Sequence, residues 1–216
     1  MADATGLADE QLRALDRLNG VAFMRDLYLA GGTAVAFRLQ HRRSLDLDLF
    51  GPDDRIDLEA IRKAMTRLFD DAQVVAMTDV TLQVRAAGTR IDVVRYPYPL
   101  LVPAEPGPAR FPTAGLEDLA TMKLAAIARR GIRRDFWDLH AIVTGSPVTL
   151  DNALDAYQRR HGVAEPDLYH VIRALTLFDD AEREGTPLEG MTPTLWRTIR
   201  DYFRDAAAHA LRERTT

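Results

Sequence analysis

A chain of 216 residues that is 47% hydrophobic and 28% charged has the make-up of an ordinary globular protein, long enough to bury about 70% of its unfolded surface in one large or two small domains. It has no cysteine, which removes disulfides, thiolate nucleophiles and Cys-ligated zinc or iron–sulfur centres and leaves oxygen and imidazole as the metal ligands available. A net charge of −4 argues against a globally basic nucleic-acid binder and leaves local basic patches open.

No apolar run approaches the roughly 18 residues of a membrane span, and Met1 to Gly20 lacks the basic start and apolar centre of a signal peptide, so a cytoplasmic protein without membrane contact is expected. Leu7, Leu12, Leu15 and Leu18 have helical spacing, stopped by Asn19-Gly20. Tyr28-Leu29-Ala30 reads as a short strand broken by Gly31-Gly32, after which Thr33 is placed to cap a helix through Leu39. Leu45-Asp46-Leu47-Asp48-Leu49-Phe50 alternates with period two until Gly51-Pro52 ends it. Ile56 to Phe69 is helical, and Gln73 to Met77, Val80 to Arg85 and Arg90 to Arg95 resemble three strands.

Six of the eleven prolines fall between Tyr96 and Pro112. They predict a linker over 101–112 between an α+β lobe through residue 100 and a helical lobe over 113–216. The second lobe has helical spacing over Leu116–Arg129, Arg133–Val143, Leu150–Arg160, Leu168–Phe178 and Trp196–Arg212, with a polar loop from Asp179 to Thr192. The fold class is therefore α+β, a mixed sheet flanked by helices followed by an all-helical bundle.

Residues two apart in a strand share a face, so Asp46 and Asp48 present carboxylates about 7 Å apart at the backbone, with Leu45, Leu47 and Leu49 opposite. A hard divalent ion is one way to relieve their repulsion, because Mg²⁺ takes one or two carboxylates and completes its shell with water and phosphates. A solvated edge strand shows the same alternation, so the pair alone leaves both readings open. Asp92, between Ile91 and Val93 on another candidate strand, adds a third acid. Three strand-borne acids behind a Gly-Gly turn suit two-metal nucleotidyl transfer, where Gly31 and Gly32 let backbone amides approach a triphosphate and the following helix aims its positive end at it.

Lys123, one of two lysines among 28 basic residues, falls in the middle of its helix's apolar stripe. It is either a snorkelling side chain or an ammonium reaching across a cleft to the triphosphate. Asp135 lies on the apolar side of the next helix, suited to orienting Lys123 or an arginine. Asp138 is at that helix's margin, where an i,i+4 pair with Arg134 is the alternative. Arg42 and Arg133 are the best cationic contacts for NTP phosphates or an RNA backbone. His140, His161, His170 and His209 lack metal-ligand spacing. Ser44 faces the same way as the acids, within reach of phosphate oxygens for one hydrogen bond to substrate, or is simply a polar residue at a strand start.

Two blocks, Gly31-Gly32-Thr33-Ala34 with His41 through Phe50, and Met122-Lys123-Leu124-Ala125-Ala126 with Arg129 through Leu139, resemble the AbiEii/AbiGii abortive-infection family of nucleotidyltransferase toxins over about residues 25 to 145. The resemblance implies a DNA polymerase β-like nucleotidyltransferase fold with its active site between the lobes. It implies an enzyme that moves NMP from NTP, with Mg²⁺ or Mn²⁺, onto an acceptor, which in some members is the 3′ end of tRNA. It also implies a cognate antitoxin encoded nearby, which in some members phosphorylates the serine of this motif. Asp46, Asp48 and Asp92 would be catalytic and metal-binding, and Lys123 catalytic. Gly31, Gly32, Thr33, Arg42, Ser44, Arg133, Asp135 and Asp138 would contact substrate. Transfer to a small molecule or a protein side chain, and a catalytically inert nucleotide-binding module, stay open as alternatives. A haloacid-dehalogenase-like phosphatase loop fits poorly, because polar His41-Arg42-Arg43-Ser44 precedes the acids instead of a buried strand.

Overall fold

Period-two alternation decides the architecture of the first half. In the computed structural model, which describes residues 6–21, 24–185 and 187–214, Leu47, Leu49, Leu82, Val84, Ile91 and Val93 are fully buried while their strand neighbours are partly exposed. The strands are β1 (Tyr28–Leu29), β2 (Asp46–Pro52), β3 (Gln73–Met77), β4 (Thr81–Ala86), β5 (Thr89–Tyr96), β6 (Glu105–Pro106) and β7 (Pro112–Thr113). Among the described residues they form a seven-stranded sheet in the order β3-β4-β5-β2-β1-β7-β6. It is mixed, with β2 parallel to β5 and β1 parallel to β7, and antiparallel pairs elsewhere.

Helices α1 (Asp9–Asn19), α2 (Gly31–Leu39) and α3 (Leu58–Leu68) complete this unit, with Leu15, Leu18, Ile61 and Met65 in its core. Asp57 caps α3 by accepting from the N–H groups of Glu59 and Ala60 at 3.0 Å each, a contact worth about 1 kcal/mol. The chain divides into two compact units, Met1–Gly115 and Leu116–Thr216.

Four local expectations are corrected. Strand β2 starts at Asp46, so Leu45 is 79% exposed instead of joining Leu47 and Leu49 inside. The strand also continues through Gly51, where a Cβ would come within 2.5 Å of Ile56; that glycine answers to close packing and does not end the strand. Thr33 is not the helix cap, because α2 begins at Gly31 with Ala30 at the cap position. The proline-rich stretch is structured: β6, a 3-10 turn at Pro108–Arg110 and β7 extend the sheet, and Phe111 is buried. Of the two, β6 is the sheet's edge, where the missing N–H of Pro106 is tolerated. Arg38 fastens this segment, donating from Nε to the Ala114 carbonyl at 2.7 Å and pairing with Glu105 at 3.3 Å.

The second unit holds α4 (Leu116–Arg129), α5 (Arg133–Gly145), α6 (Leu150–His161), α7 (Glu165–Ala174), α8 (Asp179–Arg183) and α9 (Pro193–Arg214). Its aromatic centre is Phe136, with the rings of Phe178, Phe203 and Trp196 at 5.1, 5.7 and 5.9 Å. Helix α7 begins earlier than its apolar spacing predicts because Pro166 suits a first turn, and α8 occupies part of the expected loop. Among the described residues no helix is long and apolar enough to cross a membrane.

Candidate active site

Register converts the alternation into rows across the sheet. Asp48 of β2 lies opposite Asp92 of β5, which lies opposite Gln83 of β4. In the preceding row Asp46 lies opposite Arg90 and Arg90 opposite Arg85. Neighbouring strands are about 4.8 Å apart, so the three acids occupy adjacent positions on one partly exposed face.

Arg90 is the cation among them. Its Nε and Nη2 donate to the two oxygens of Asp92 at 2.9 Å each, and Gln83 adds a donor at 3.4 Å. The guanidinium is held above its ordinary pKa, by this hydrogen bond first, opposed by some desolvation and helped by the charges of Asp92, Asp46 and Asp48. Arg90 was not among the residues singled out from sequence. It lies two positions before Asp92 on the same strand face, so the alternation that places the acids also places it.

The turn from β1 into α2 abuts Asp48. The Ala30 N–H donates to the Asp48 carbonyl at 2.9 Å, and Gly31 has φ +60°. A Cβ on Gly31 would fall 2.1 Å from the Asp48 carboxylate, so glycine is required both for backbone conformation and for the close approach. Gly32 is buried in the first turn of α2, whose unsatisfied N–H groups form a site for anions. Thr33 donates its hydroxyl to the Asp46 carbonyl and lies 2.7 Å from the Ser44 Oγ, tying the start of β2 to α2.

Gly31, Gly32, Thr33, Ser44, Asp46, Asp48 and Asp92 are therefore brought together. Arg42 donates from Nη1 to the Arg43 carbonyl at 2.8 Å. An all-carboxylate set is the right chemistry for a hard ion such as Mg²⁺, and Asp46 and Asp48 fit that role beside the Gly31 turn. Among the described residues no three His, Cys, Asp or Glu side chains are gathered as an ion-holding set, and Asp92, expected as the third ligand, is held by Arg90.

The second unit carries its own charge cluster. Lys123 of α4 places its Nζ 3.0 Å from Asp135 and 2.7 Å from Asp138 of α5, all three side chains being buried. The other Asp135 oxygen takes Arg130 at 3.2 Å. Asp135 and Asp138 are i,i+3 and share a helix face, so Asp138 turns inward to Lys123, and the surface pair with Arg134 that was the alternative reading is not what holds it. Lys123, expected over a triphosphate, has its ammonium enclosed by two carboxylates. Arg133 pairs with Glu182 at 3.7 Å and covers the Trp196 ring at 5.6 Å, tying α5 to α8 and α9. A further buried pair joins Asp118 and Arg160 at 3.0 Å. It links residues 42 apart and leaves no local signal in the sequence.

The family model of the nucleotidyl transferase AbiEii toxin, Type IV TA system, matches residues 13–214. The uncharacterized protein aq_aa25 of Aquifex aeolicus (strain VF5) is 30% identical over 200 residues, which is 92% of this chain and 94% of that protein. Among solved structures, MenT4, a nucleotidyltransferase toxin from Mycobacterium tuberculosis H37Rv, is similar with a TM-score of 0.57 and 18% identity over 89% of this chain and 81% of that one. The antibiotic-resistance factor ANT(2″)-Ia is similar with a TM-score of 0.53 and 15% identity over 70% of this chain and 91% of that one. These two likenesses show a shared α+β fold.

Proposed function

The chain belongs to the AbiEii nucleotidyltransferase toxin family, and from that premise we propose that it transfers NMP from an NTP to the 3′ end of a tRNA as the toxin of a toxin–antitoxin pair. The observation that carries this reading is the row Asp48–Asp92, with Asp46 on the same face and the Gly31 turn against Asp48.

Bound between Asp46, Asp48 and the NTP, Mg²⁺ or Mn²⁺ would supply positive charge against the triphosphate and acidify the acceptor hydroxyl. The N–H groups at Gly31 and Gly32 take phosphate oxygens at the positive end of α2, and Thr33 and Ser44 hold that turn against β2. Asp92 accepts the proton of the acceptor hydroxyl as its oxygen bonds to the α-phosphorus and pyrophosphate leaves. Protonation weakens the Asp92–Arg90 pair, so the guanidinium becomes available to the departing pyrophosphate. Arg42 is assigned a phosphate contact, and Lys123, Asp135, Asp138 and Arg133 are assigned to positioning the helices that carry them.

The test is incorporation of label from each NTP into total RNA, protein and small-molecule fractions, for the wild-type protein and Asp46→Ala. Label in tRNA, lost in the variant, supports the reading; equal incorporation by the variant overturns it. Label in the small-molecule fraction would move the acceptor to the class seen with ANT(2″)-Ia, which has been crystallised with adenylyl-2″-tobramycin. For control by the antitoxin, Ser44 is the proposed phosphorylation site: a phosphoryl group there breaks the Thr33 contact and sets charge beside Asp46. Co-expression with the neighbouring gene product should add about 80 Da to the Ser44 peptide. An unmodified peptide in a stoichiometric complex would mean occlusion instead.

A further inference from the structure

Strand β2 extends past the end of its neighbour β1. Successive carbonyls of a strand point to opposite edges, and on the β1 side the Asp48 carbonyl takes the Ala30 N–H at 2.9 Å. The Asp46 carbonyl points the same way, but β1 stops at Leu29 and the chain turns into α2 at Gly31, so among the described residues no strand lies opposite it on that side. A buried carbonyl left without a donor costs as much as a lost hydrogen bond. Two helices supply donors instead: Thr33 of α2 donates its hydroxyl to this oxygen, and Gln11 of α1 donates from Nε2 at 3.4 Å. On the β5 side Thr89 donates its hydroxyl to the preceding carbonyl, that of Leu45, at 3.0 Å.

Gln11 is the distant member of this set. It is 1% exposed, and a carboxamide closed off from water must satisfy both its ends inside the protein. Its Oε1 accepts the Ala8 N–H at 2.9 Å, which closes the start of α1, and its Nε2 turns to a residue 35 positions away. The helix start needs only the oxygen. A glutamate, the other residue that closes a helix in this way, would serve α1 equally and would set a carboxylate against the Asp46 carbonyl. The amide lets one side chain close the helix and hold the strand.

We infer that Gln11 is a positioning residue for Asp46: its amide stands in for the missing strand and fixes the backbone from which the Asp46 carboxylate projects, without itself touching substrate. The consequence for turnover rests on the nucleotidyl-transfer reading above, whereas the consequence for the backbone does not. Gln11 and Thr33 share one acceptor. Loss of either leaves the Asp46 carbonyl one donor and loss of both leaves it none, so their effects are coupled and the double loss exceeds the product of the single ones.

The experiment uses the full chain and compares Gln11→Met, which fills the same space without the amide, Gln11→Glu, Thr33→Val, the Gln11→Met/Thr33→Val double variant, and Leu15→Val, which trims another buried side chain of α1. Amide hydrogen exchange over residues 44–50, referenced to that of β4, and turnover at saturating NTP are measured on the same preparations. Gln11→Met should speed exchange over 44–50 about 2- to 12-fold, the range of one ordinary hydrogen bond, and lower kcat by a similar factor. Gln11→Glu, read at about pH 8 where a carboxylate accepts but does not donate, keeps the Ala8 contact and should show the same losses. Leu15→Val should lower the urea midpoint and leave local exchange and kcat as in the wild type. Wild-type exchange in both Gln11 variants, faster exchange with wild-type kcat, or equal losses in Leu15→Val overturns the proposal. If the wild-type protein transfers no nucleotide, the exchange comparison still decides whether Gln11 holds Asp46, so the two readings fail separately.

Discussion

In Met1–Gly115 three carboxylates line a partly exposed sheet face against Arg90, whose side chain is still 40% exposed, whereas in Leu116–Thr216 Lys123, Asp135 and Asp138 are enclosed together away from water. Both clusters set cations against like charges, Arg90 in the first and Lys123 with Arg130 in the second, yet the physics weights them differently. Exposed acids interact through a high dielectric and contribute little to folding. Buried ones hold one another in place, and removing a single partner leaves an uncompensated charge. The first arrangement keeps its groups available for chemistry, and the second commits them to structure.

The largest expected effect breaks the second arrangement. Lys123→Ala should destabilise the protein by about 3–5 kcal/mol, the cost of stranding a buried ionic partner, measured as a lowered urea midpoint at unchanged slope. Replacing all three groups together (Lys123→Met, Asp135→Asn, Asp138→Asn) should recover much of that loss. A Lys123→Ala protein of wild-type stability with abolished transfer would return the lysine to the triphosphate.

Asp46→Asn and Asp48→Asn should show the reverse balance. Turnover falls about 10²- to 10³-fold, the scale for losing one preorganised electrostatic group, while stability changes by about 0.5 kcal/mol or less. Parallel turnover and denaturation measurements on the same preparations decide this. A variant that unfolds would place these acids in the same class as Lys123.

Gly31→Ala lies between the two. An L-residue at φ +60° is strained by about 1–2 kcal/mol, and its Cβ displaces the Asp48 carboxylate, so stability and turnover should fall together. Asn at this position, which tolerates left-handed backbone better, should recover part of the stability and none of the turnover.

The acids' common face was legible in the sequence because strand alternation is local: Leu47, Leu49, Ile91 and Val93 point inward and fix where Asp46, Asp48 and Asp92 point. That Asp48 meets Asp92 was not legible, because parallel pairing of β2 with β5 spans a crossover that no window of sequence contains. Helix positions in the second unit were largely readable from apolar spacing, and Lys123 stood out as a charge in an apolar stripe. Its partners were read in part: Asp135 as an orienting acid, and Asp138 left open between a substrate contact and a surface pair with Arg134, although i,i+3 spacing sets the two on one face. Composition misled at 101–112, where prolines suggested a linker and instead fall in two short strands, of which β6 is the sheet's edge. Thr33 misled because a hydroxyl near a helix start suits a cap, whereas here it reaches the Asp46 carbonyl.

The smallest expected effect tells the units apart by pH. His140 lies edge-on to Tyr202 at 5.1 Å, and burial lowers its pKa below the ordinary 6.5. His161, stacked on Tyr157 at 4.2 Å, is lowered by the same cause and by Arg160, against the raising effect of its hydrogen bond to the Tyr157 carbonyl. Both residues belong to Leu116–Thr216. In the unfolded chain each imidazole takes its proton as pH falls through 6.5, while in the folded unit each resists until lower pH. Over that window the unfolded state binds more protons, so stability rises with pH. It is complete above 6.5, is lost progressively as pH falls below that value, and stops falling beneath the folded-state values. Unfolding of the helical unit should therefore come at lower urea at about pH 5.5 than at about pH 7.5, and His140→Gln with His161→Gln should flatten the difference. Transfer chemistry set by the sheet-face acids should keep its own pH profile in that double variant. A pH dependence of unfolding that survives both substitutions would assign it to other titrating groups and remove the histidines from this account.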